Sequence, residues 1–119
     1  MKASCHCGAV RFEIAEPPTR VSECNCSICA CLGALWAYYH PRQVTRLGEP
    51  GQTFPYVWGD RTIAFHTCRT CGCTTHWEAI EVEDPERMGV NARLIEGLDR
   101  QNVELRHLDG GGHGRFWTR

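Results

Sequence analysis

The stretch "ECNCSICACLG", residues 23–33, places Cys24, Cys26, Cys29 and Cys31 within eight residues. Thiols this dense in a small chain rarely serve only as core residues. They are consistent with a disulfide framework, a redox pair, a structural metal site or the centre of a metal enzyme. The composition and the remaining cysteines narrow this choice.

Composition and charge predict one globular domain over residues 1–119. Hydrophobic residues make up 42% of the chain and charged residues 23%, which is ordinary for a globular protein. The formal net charge is -1, and Lys and Arg form no dense run. We therefore expect no nucleic-acid partner, since such a partner is usually bound through a basic surface.

The cysteine count and the absence of long apolar segments indicate a reduced, cytoplasmic protein. No stretch is apolar enough to cross a bilayer, and "MKASCHCGAV" (1–10) does not read as a signal peptide. A disulfide framework would leave one of the nine cysteines unpaired. In a reducing compartment, dense cysteines indicate metal binding or catalysis instead.

The hydrophobic pattern predicts a mainly β fold. In "AVRFEI" (9–14), Val10, Phe12 and Ile14 alternate with less apolar residues, which is typical of a half-buried strand. Residues 53–59 and 61–67 form a predicted hairpin in which Pro55 requires an edge position or a bulge. Further strands are predicted within residues 33–40, 73–80 and 87–95, and one short helical turn near Cys29–Leu32.

Apart from Cys31, the cysteines fall into three groups along the chain. They are Cys5 and Cys7; Cys24, Cys26 and Cys29; and Cys68, Cys71 and Cys73. A tetrahedral zinc site usually takes four ligands from two short-spaced pairs. The pair Cys68 and Cys71, followed by Gly72, suits such a site because glycine permits a tight turn. Spacing alone does not decide which other group completes the site.

The number of thiolates determines what a zinc site can do. Four thiolates close the site, which then only stabilises the fold. Three thiolates leave one position for water or a substrate, as in catalytic zinc sites. The cysteine count permits two closed sites, or one closed and one open site.

Four segments of the chain resemble one protein family. They are "CHCGAVRFEI" (5–14), "CNCSIC" (24–29), "CRTCGC" (68–73) and "VNARLIEGLD" (90–99). Together they resemble the glutathione-dependent formaldehyde-activating enzyme (S-hydroxymethylglutathione synthase) family, which includes centromere protein V-like members. The resemblance covers about residues 5–99. It implies a β-tent fold, in which antiparallel sheets are held together by zinc.

The resemblance also implies two zinc ions per chain and a carbon–sulfur lyase-type activity. The structural zinc would be bound by Cys5, Cys7, Cys68 and Cys71, and the catalytic zinc by Cys24, Cys26 and Cys29. The implied substrates are glutathione, or another small thiol, and formaldehyde or a related aldehyde. The open zinc position would bind the thiol as thiolate or polarise the aldehyde oxygen, and the sequence does not separate these roles.

Two cysteines depart from the family pattern. If Cys73 reaches the second zinc, that site gains a fourth thiolate and closes; otherwise Cys73 is a small buried apolar residue. Cys31 stands where the family commonly carries Lys or Arg. The absence of a basic side chain there would weaken the attraction for the carboxylates of glutathione. With two closed sites, the alternative function is a zinc-stabilised binding module with no catalysis and an exposed patch in place of a pocket.

Four further residues could lie near the proposed sites. Three of them have two possible roles, and the fourth is expected at the surface. His66 and His76 either hydrogen-bond a thiolate or pack in the interior. Arg93 either pairs with a substrate carboxylate or is an ordinary surface residue. His6 lies between two candidate ligands on a strand and should point away from them, towards the surface.

Overall fold

Strands dominate the computed structural model, which describes residues 1–59, 61–110 and 116–118. The strands are β1 (Lys2–Ser4), β2 (Arg11–Ile14), β3 (Arg20–Cys24), β4 (Trp36–Tyr39), β5 (Val44–Leu47), β6 (Thr53–Tyr56), β7 (Ile63–Cys68), β8 (Thr74–Ala79), β9 (Met88–Asn91), β10 (Glu104–Leu108) and β11 (Phe116–Thr118). The helix α1 spans Ser27–Leu32, and short 3-10 helices span Pro41–Gln43 and Ala92–Leu94. The mainly β prediction is confirmed. Within these ranges, no helix has the length and apolar character needed to cross a membrane.

The strands form a small sheet and a large sheet. The small sheet has the order β1-β2-β5, and the large sheet the order β11-β10-β3-β4-β9-β8-β7-β6. All the described pairs are antiparallel except β3 with β10, which run parallel with Cys24 opposite Leu108. The prediction of antiparallel sheets is confirmed, and the long connection between β3 and β10 permits the one parallel pair.

The predicted amphipathic strand and hairpin are both present. In β2, Phe12 and Ile14 are buried and Arg11 is exposed. Strands β6 and β7 pair antiparallel, with Thr53 opposite Cys68. Strand β6 ends the order of the large sheet, so Pro55 has the edge position that its missing amide hydrogen requires. Asp60, in the predicted turn, lies outside the described residues.

The large sheet is covered by apolar residues on both faces, as β4 illustrates. Ala37 and Tyr39 join the core shared with the small sheet, which includes Phe12. Trp36 joins the core on the opposite face, together with Cys29 of α1. Fully burying a side chain such as Phe12 stabilises the fold by roughly 1.5–3 kcal/mol.

The cysteines are divided between these two cores. Cys5 and Cys68 are buried in the core between the sheets. Cys24 and Cys29 are buried in the core against α1. The large sheet therefore separates two groups of thiols and gives each group its own surroundings.

Candidate metal centres

Cys5, Cys7, Cys68 and Cys71 form the four-cysteine group. Their sulfurs all lie within 4.8 Å of one another. The distance from the Cys7 sulfur is 3.6 Å to that of Cys5 and 3.7 Å to that of Cys68. Four sulfurs at about 2.3 Å from a tetrahedral zinc are about 3.8 Å apart, so this arrangement fits the ion. A disulfide would need about 2.05 Å, and all nine cysteines are free.

Two tight turns build the four-cysteine group. Gly72 has φ 80°, a left-handed conformation that glycine adopts without strain. The amide of Val10 donates to the Cys5 sulfur at 3.3 Å, and the amide of Thr70 donates to the Cys68 sulfur at 3.4 Å. These amide groups favour the charged, metal-binding form of the thiols.

Protonation within the four-cysteine group is uneven. The backbone amides of Cys7 and Cys73 lower the pKa of Cys71 to about 5. The amide of Ala9 lowers the pKa of Cys7, but burial and the neighbouring thiols outweigh it and raise that pKa to about 12. Like charges so close together cannot all ionise without a compensating cation. The donor set therefore suits a bound metal ion.

Of the two alternatives for Cys73, the structure favours the one in which it is not a ligand of the second group, because the sulfur cluster of Cys24, Cys26 and Cys29 does not include it. The left-handed turn at Gly72 keeps Cys73 beside Cys71. Both residues pack against the core between the sheets. The amide of His6 lowers the pKa of Cys73, but burial and the Cys71 thiol outweigh it and raise the pKa. Cys73 is thus a half-buried neighbour of the four-cysteine group.

Cys24, Cys26 and Cys29 form the three-cysteine group, at the end of β3 and the start of α1. Their sulfurs lie within 4.8 Å of one another, and no fourth Cys, His, Asp or Glu of the described chain belongs to the set. Gly33 caps the end of the helix, and its amide donates to the Cys29 carbonyl at 3.0 Å. Cys31 is exposed and is not a member.

Burial and backbone amides act in opposite directions on these three thiols. Burial raises the pKa of Cys24 and of Cys29. Burial also raises the pKa of Cys26, but the backbone amides of Cys29 and Ile28 outweigh it, so this pKa lies below its ordinary value. One thiol therefore ionises readily, while two are held protonated unless a cation compensates their charge.

The indole of Trp36 is a donor next to the three-cysteine group. Burial and the Cys26 thiol raise the pKa of Cys29, and the Trp36 side chain lowers it. The Trp36 Nε1 atom is buried and has no hydrogen bond of normal geometry among the described residues. A metal-bound thiolate at Cys29 would give this N–H group an acceptor. The three-cysteine group therefore also fits a metal ion.

The segment after β10 covers one side of the three-cysteine group. A Cβ atom built on Gly110 would lie 2.5 Å from the Cys24 sulfur, so only glycine permits this close approach. The Asn25 side-chain amide donates to Asp109 Oδ1 at 2.8 Å, and its backbone amide donates to the Leu108 carbonyl at 3.1 Å. No sequence signal predicted these contacts, because the partners lie far apart along the chain.

A cavity lined by three arginines, called here the arginine cavity, adjoins Tyr38 of β4. It has a volume of about 420 Å³, and its lining includes Arg20, Arg87, Arg106 and Tyr38. The Arg87 guanidinium lies 5.3 Å from the centre of the Tyr38 ring. Burial raises the pKa of Tyr38, with smaller electrostatic effects from Cys24 and Arg106. Tyr38 therefore lines the cavity and also packs against the core that holds Cys24 and Cys29. Sequence reasoning missed this cavity.

The other residues singled out in the sequence have structural contacts. Arg93 Nε donates to the Gly33 carbonyl at 2.9 Å and so holds the end of α1. His6 is exposed, as predicted. His66 and His76 form a separate group with Glu78, and their ring nitrogens face threonine and glutamate oxygens. The tail residues 111–115 and 119 lie outside the described residues.

The fold and the two cysteine groups define a class: a small, mainly β protein whose clustered thiols could bind metal ions. A sequence profile of the family "Glutathione-dependent formaldehyde-activating enzyme" matches residues 1–106, and the chain belongs to this family. This confirms the resemblance seen in the sequence.

A solved structure is also similar to this chain. It is a crystal structure of a Rhodobacter sphaeroides protein, determined as a structural genomics target. The two chains are 32% identical, with 88% of this chain and 99% of that chain covered, and the TM-score is 0.73. The agreement extends over nearly the whole neighbour, so the two proteins share the fold.

Proposed function

We propose that this protein is a zinc-dependent carbon–sulfur lyase-type enzyme. It joins glutathione, or another small thiol, to formaldehyde or a related aldehyde. The thiol sulfur forms a bond to the aldehyde carbon, the thiol loses its proton, and the former carbonyl oxygen gains one, so no oxidant is needed. The observation that carries this proposal is a three-cysteine group that is one thiol short of a closed site. Tyr38, which packs against the core around these cysteines, also lines the arginine cavity.

The proposal gives the two cysteine groups different roles. Cys5, Cys7, Cys68 and Cys71 would hold a structural zinc, and Cys24, Cys26 and Cys29 would hold the second zinc. When bound, the second ion would supply Lewis acidity for the thiol or the aldehyde. Two neighbours in the chain would shape this position: the Trp36 indole next to Cys29 and Gly110 against Cys24.

The arginine cavity supports a thiol that carries carboxylates. Glutathione has two carboxylates, and arginine binds such groups through paired hydrogen bonds. Arg20 and Arg87 are exposed at the cavity, and Tyr38 connects it to the thiols. With three arginines and one glutamate in its lining, this cavity would supply the positive charge that position 31, a cysteine here, does not.

The separable role of the second zinc is tested with Cys24→Ser, and Cys31→Ser is the matched control on the same loop. We expect Cys24→Ser to lose about one zinc per chain and most S-hydroxymethylglutathione formation, while its thermal unfolding stays cooperative. Cys31→Ser should keep both metals and its activity, because Cys31 is exposed outside the group. Full turnover by Cys24→Ser would contradict the proposal.

The carboxylate contact is tested separately with Arg87→Gln and with glutathione diethyl ester. We expect KM for glutathione to rise about tenfold in Arg87→Gln, since a hydrogen bond to a charged group contributes about 1.5–3 kcal/mol when shielded and less when exposed. The ester should show the same loss with the unsubstituted protein. Arg100→Gln, an exposed arginine outside the cavity, is the control. Equal KM values for glutathione and its ester would contradict this role.

One observation favours the alternative of a zinc-stabilised binding module. Phe54, Tyr56 and Trp58 are 44%, 52% and 42% exposed on and just after the edge strand β6. Exposed aromatic side chains of this kind are common in protein interfaces. A zinc-loaded protein that shows no turnover with any thiol and aldehyde pair would favour this alternative.

We also propose that residues 1–119 act as one domain in the cytoplasm. The support is chemical: all nine thiols are unbridged, and a reducing compartment keeps them so.

A further inference from the structure

Three potential metal ligands lie together on the large sheet, apart from the cysteines, and are called here the histidine group. His66 on β7 is paired directly opposite His76 on β8, and Glu78 follows two residues later on the same strand. One ligand atom from each residue lies within 4.8 Å of the others. Alternate residues of a strand share a face, so the sheet itself holds this juxtaposition.

His76 has a buried nitrogen with no partner. His76 is only 1% exposed. The Nδ1 atom of its ring lies 2.8 Å from Thr75 Oγ1. With the Thr75 hydroxyl donating to the His66 carbonyl at 3.4 Å, its oxygen is free to accept the Nδ1 hydrogen of His76. The lone pair of the neutral ring is then on Nε2, which has no hydrogen-bond partner in the described part of the chain. Buried polar atoms of this kind need an explanation.

The His66 and Glu78 side chains are fixed by contacts with each other and with neighbouring side chains. The Nδ1 atom of His66 is 2.9 Å from Thr53 Oγ1, and its Nε2 atom is 2.9 Å from Glu78 Oε1. The other Glu78 oxygen pairs with Arg46. Metal-binding histidines are typically fixed in this way, with the second ring nitrogen bonded to a neighbouring side chain.

A cavity reaches one member of the histidine group, His76. Its volume is about 330 Å³, and its lining includes Thr53, Arg46, Phe12 and His76. Phe12 packs edge-on against the His76 ring, with 5.2 Å between ring centres. An ion at the group would therefore be open to the cavity rather than enclosed by protein.

We propose that His66, His76 and Glu78 bind a third divalent transition-metal ion, of the zinc type, through two imidazole nitrogens and one carboxylate oxygen. This donor set is one that zinc uses in sites with an open fourth position. The ion would replace the proton that His66 and Glu78 share. The two rings are stacked with centres 4.5 Å apart, so His76 must rotate to direct its Nε2 lone pair at the ion.

The probe is Co²⁺, added to the zinc-loaded full-length protein, because nitrogen and oxygen ligands give cobalt a spectrum without the sulfur charge-transfer band of thiolate sites. We expect about one additional Co²⁺ per chain with weak visible absorption and no sulfur charge transfer. Glu78→Gln and His76→Phe should each weaken this binding by more than about tenfold, since even loss of an outer partner costs 10–100-fold. Glu104→Gln, an exposed glutamate on β10, is the matched control and should bind as the unsubstituted protein does.

Two results would overturn the proposal. One is a titration in which cobalt enters only sites with sulfur charge transfer. The other is unchanged binding in Glu78→Gln, whose partly exposed side chain can be replaced without opening the core. This second variant keeps the test valid if His76→Phe does not fold, and a cooperative thermal transition shows which variants are folded.

Discussion

Replacing Gly110 by alanine tests whether the segment after β10 shapes the three-cysteine group. The added Cβ would lie 2.5 Å from the Cys24 sulfur and 3.5 Å from Cys26 Cβ. Normal contact needs about 3.5–4.0 Å, so the sulfur or the segment must move by about 1 Å. Gly110 is not among the described glycines with positive φ, so the effect is steric rather than backbone strain. Overpacking of this kind costs about 1–3 kcal/mol, which corresponds to about 5- to 150-fold weaker zinc binding if the sulfur gives way.

The assay is competition for zinc against a coloured chelator, followed by thermal unfolding of the same samples. Compared with the unsubstituted protein, Gly110→Ala should release the zinc ion of the three-cysteine group at a lower chelator concentration. It should also unfold at a lower temperature. In a Cys24→Ala background the clashing sulfur is gone, so adding Gly110→Ala should change the unfolding temperature little. Zinc affinity equal to that of the unsubstituted protein would refute the reasoning, as would the same destabilisation in both backgrounds.

Three further substitutions test single contacts. Gly89→Ala should lower the free energy of unfolding in urea by about 1–3 kcal/mol, because its Cβ would lie 2.0 Å from Trp77 Nε1; no change would mean that the ring moves freely aside. Trp36→Phe keeps an aromatic ring but removes the N–H group, so zinc competition should show about tenfold weaker binding beside Cys29, and equal affinity would exclude this donor. Cys73→Ser should keep both zinc ions in elemental analysis, whereas loss of one would show that Cys73 is a ligand.

The strands that the sequence predicted are those with a local signal. Phe12 and Ile14 of β2 alternate with polar residues, and the hairpin of β6 and β7 joins neighbouring segments. The edge position of Pro55 follows from its own chemistry. Strands β3 and β10 were not predicted, since each is stabilised by a partner about 80 residues away and has no clean alternation of its own.

The cysteine groups were predictable for a similar reason, because metal ligands in short turns show their spacing in the sequence. The position of Cys73 was not, since it depends on the backbone turn at Gly72. The arginine cavity draws on β3, β10 and the segment before β9, which no local pattern connects. His76 and Glu78 did carry a signal: alternate residues on a predicted strand share a face.

Because β3 pairs with β10, which is synthesised much later, the surroundings of the three-cysteine group are completed only near the end of translation. Cys24, Cys26 and Cys29 leave the ribosome almost together, whereas Cys68 and Cys71 follow some forty residues later, and Leu108 and Gly110 much later still. The chain is made from its amino end. It therefore presents three neighbouring sulfurs long before the segment that covers them has been synthesised. An ion captured at that stage would be open to exchange with other thiols until β10 and the segment that carries Gly110 dock beside Cys24.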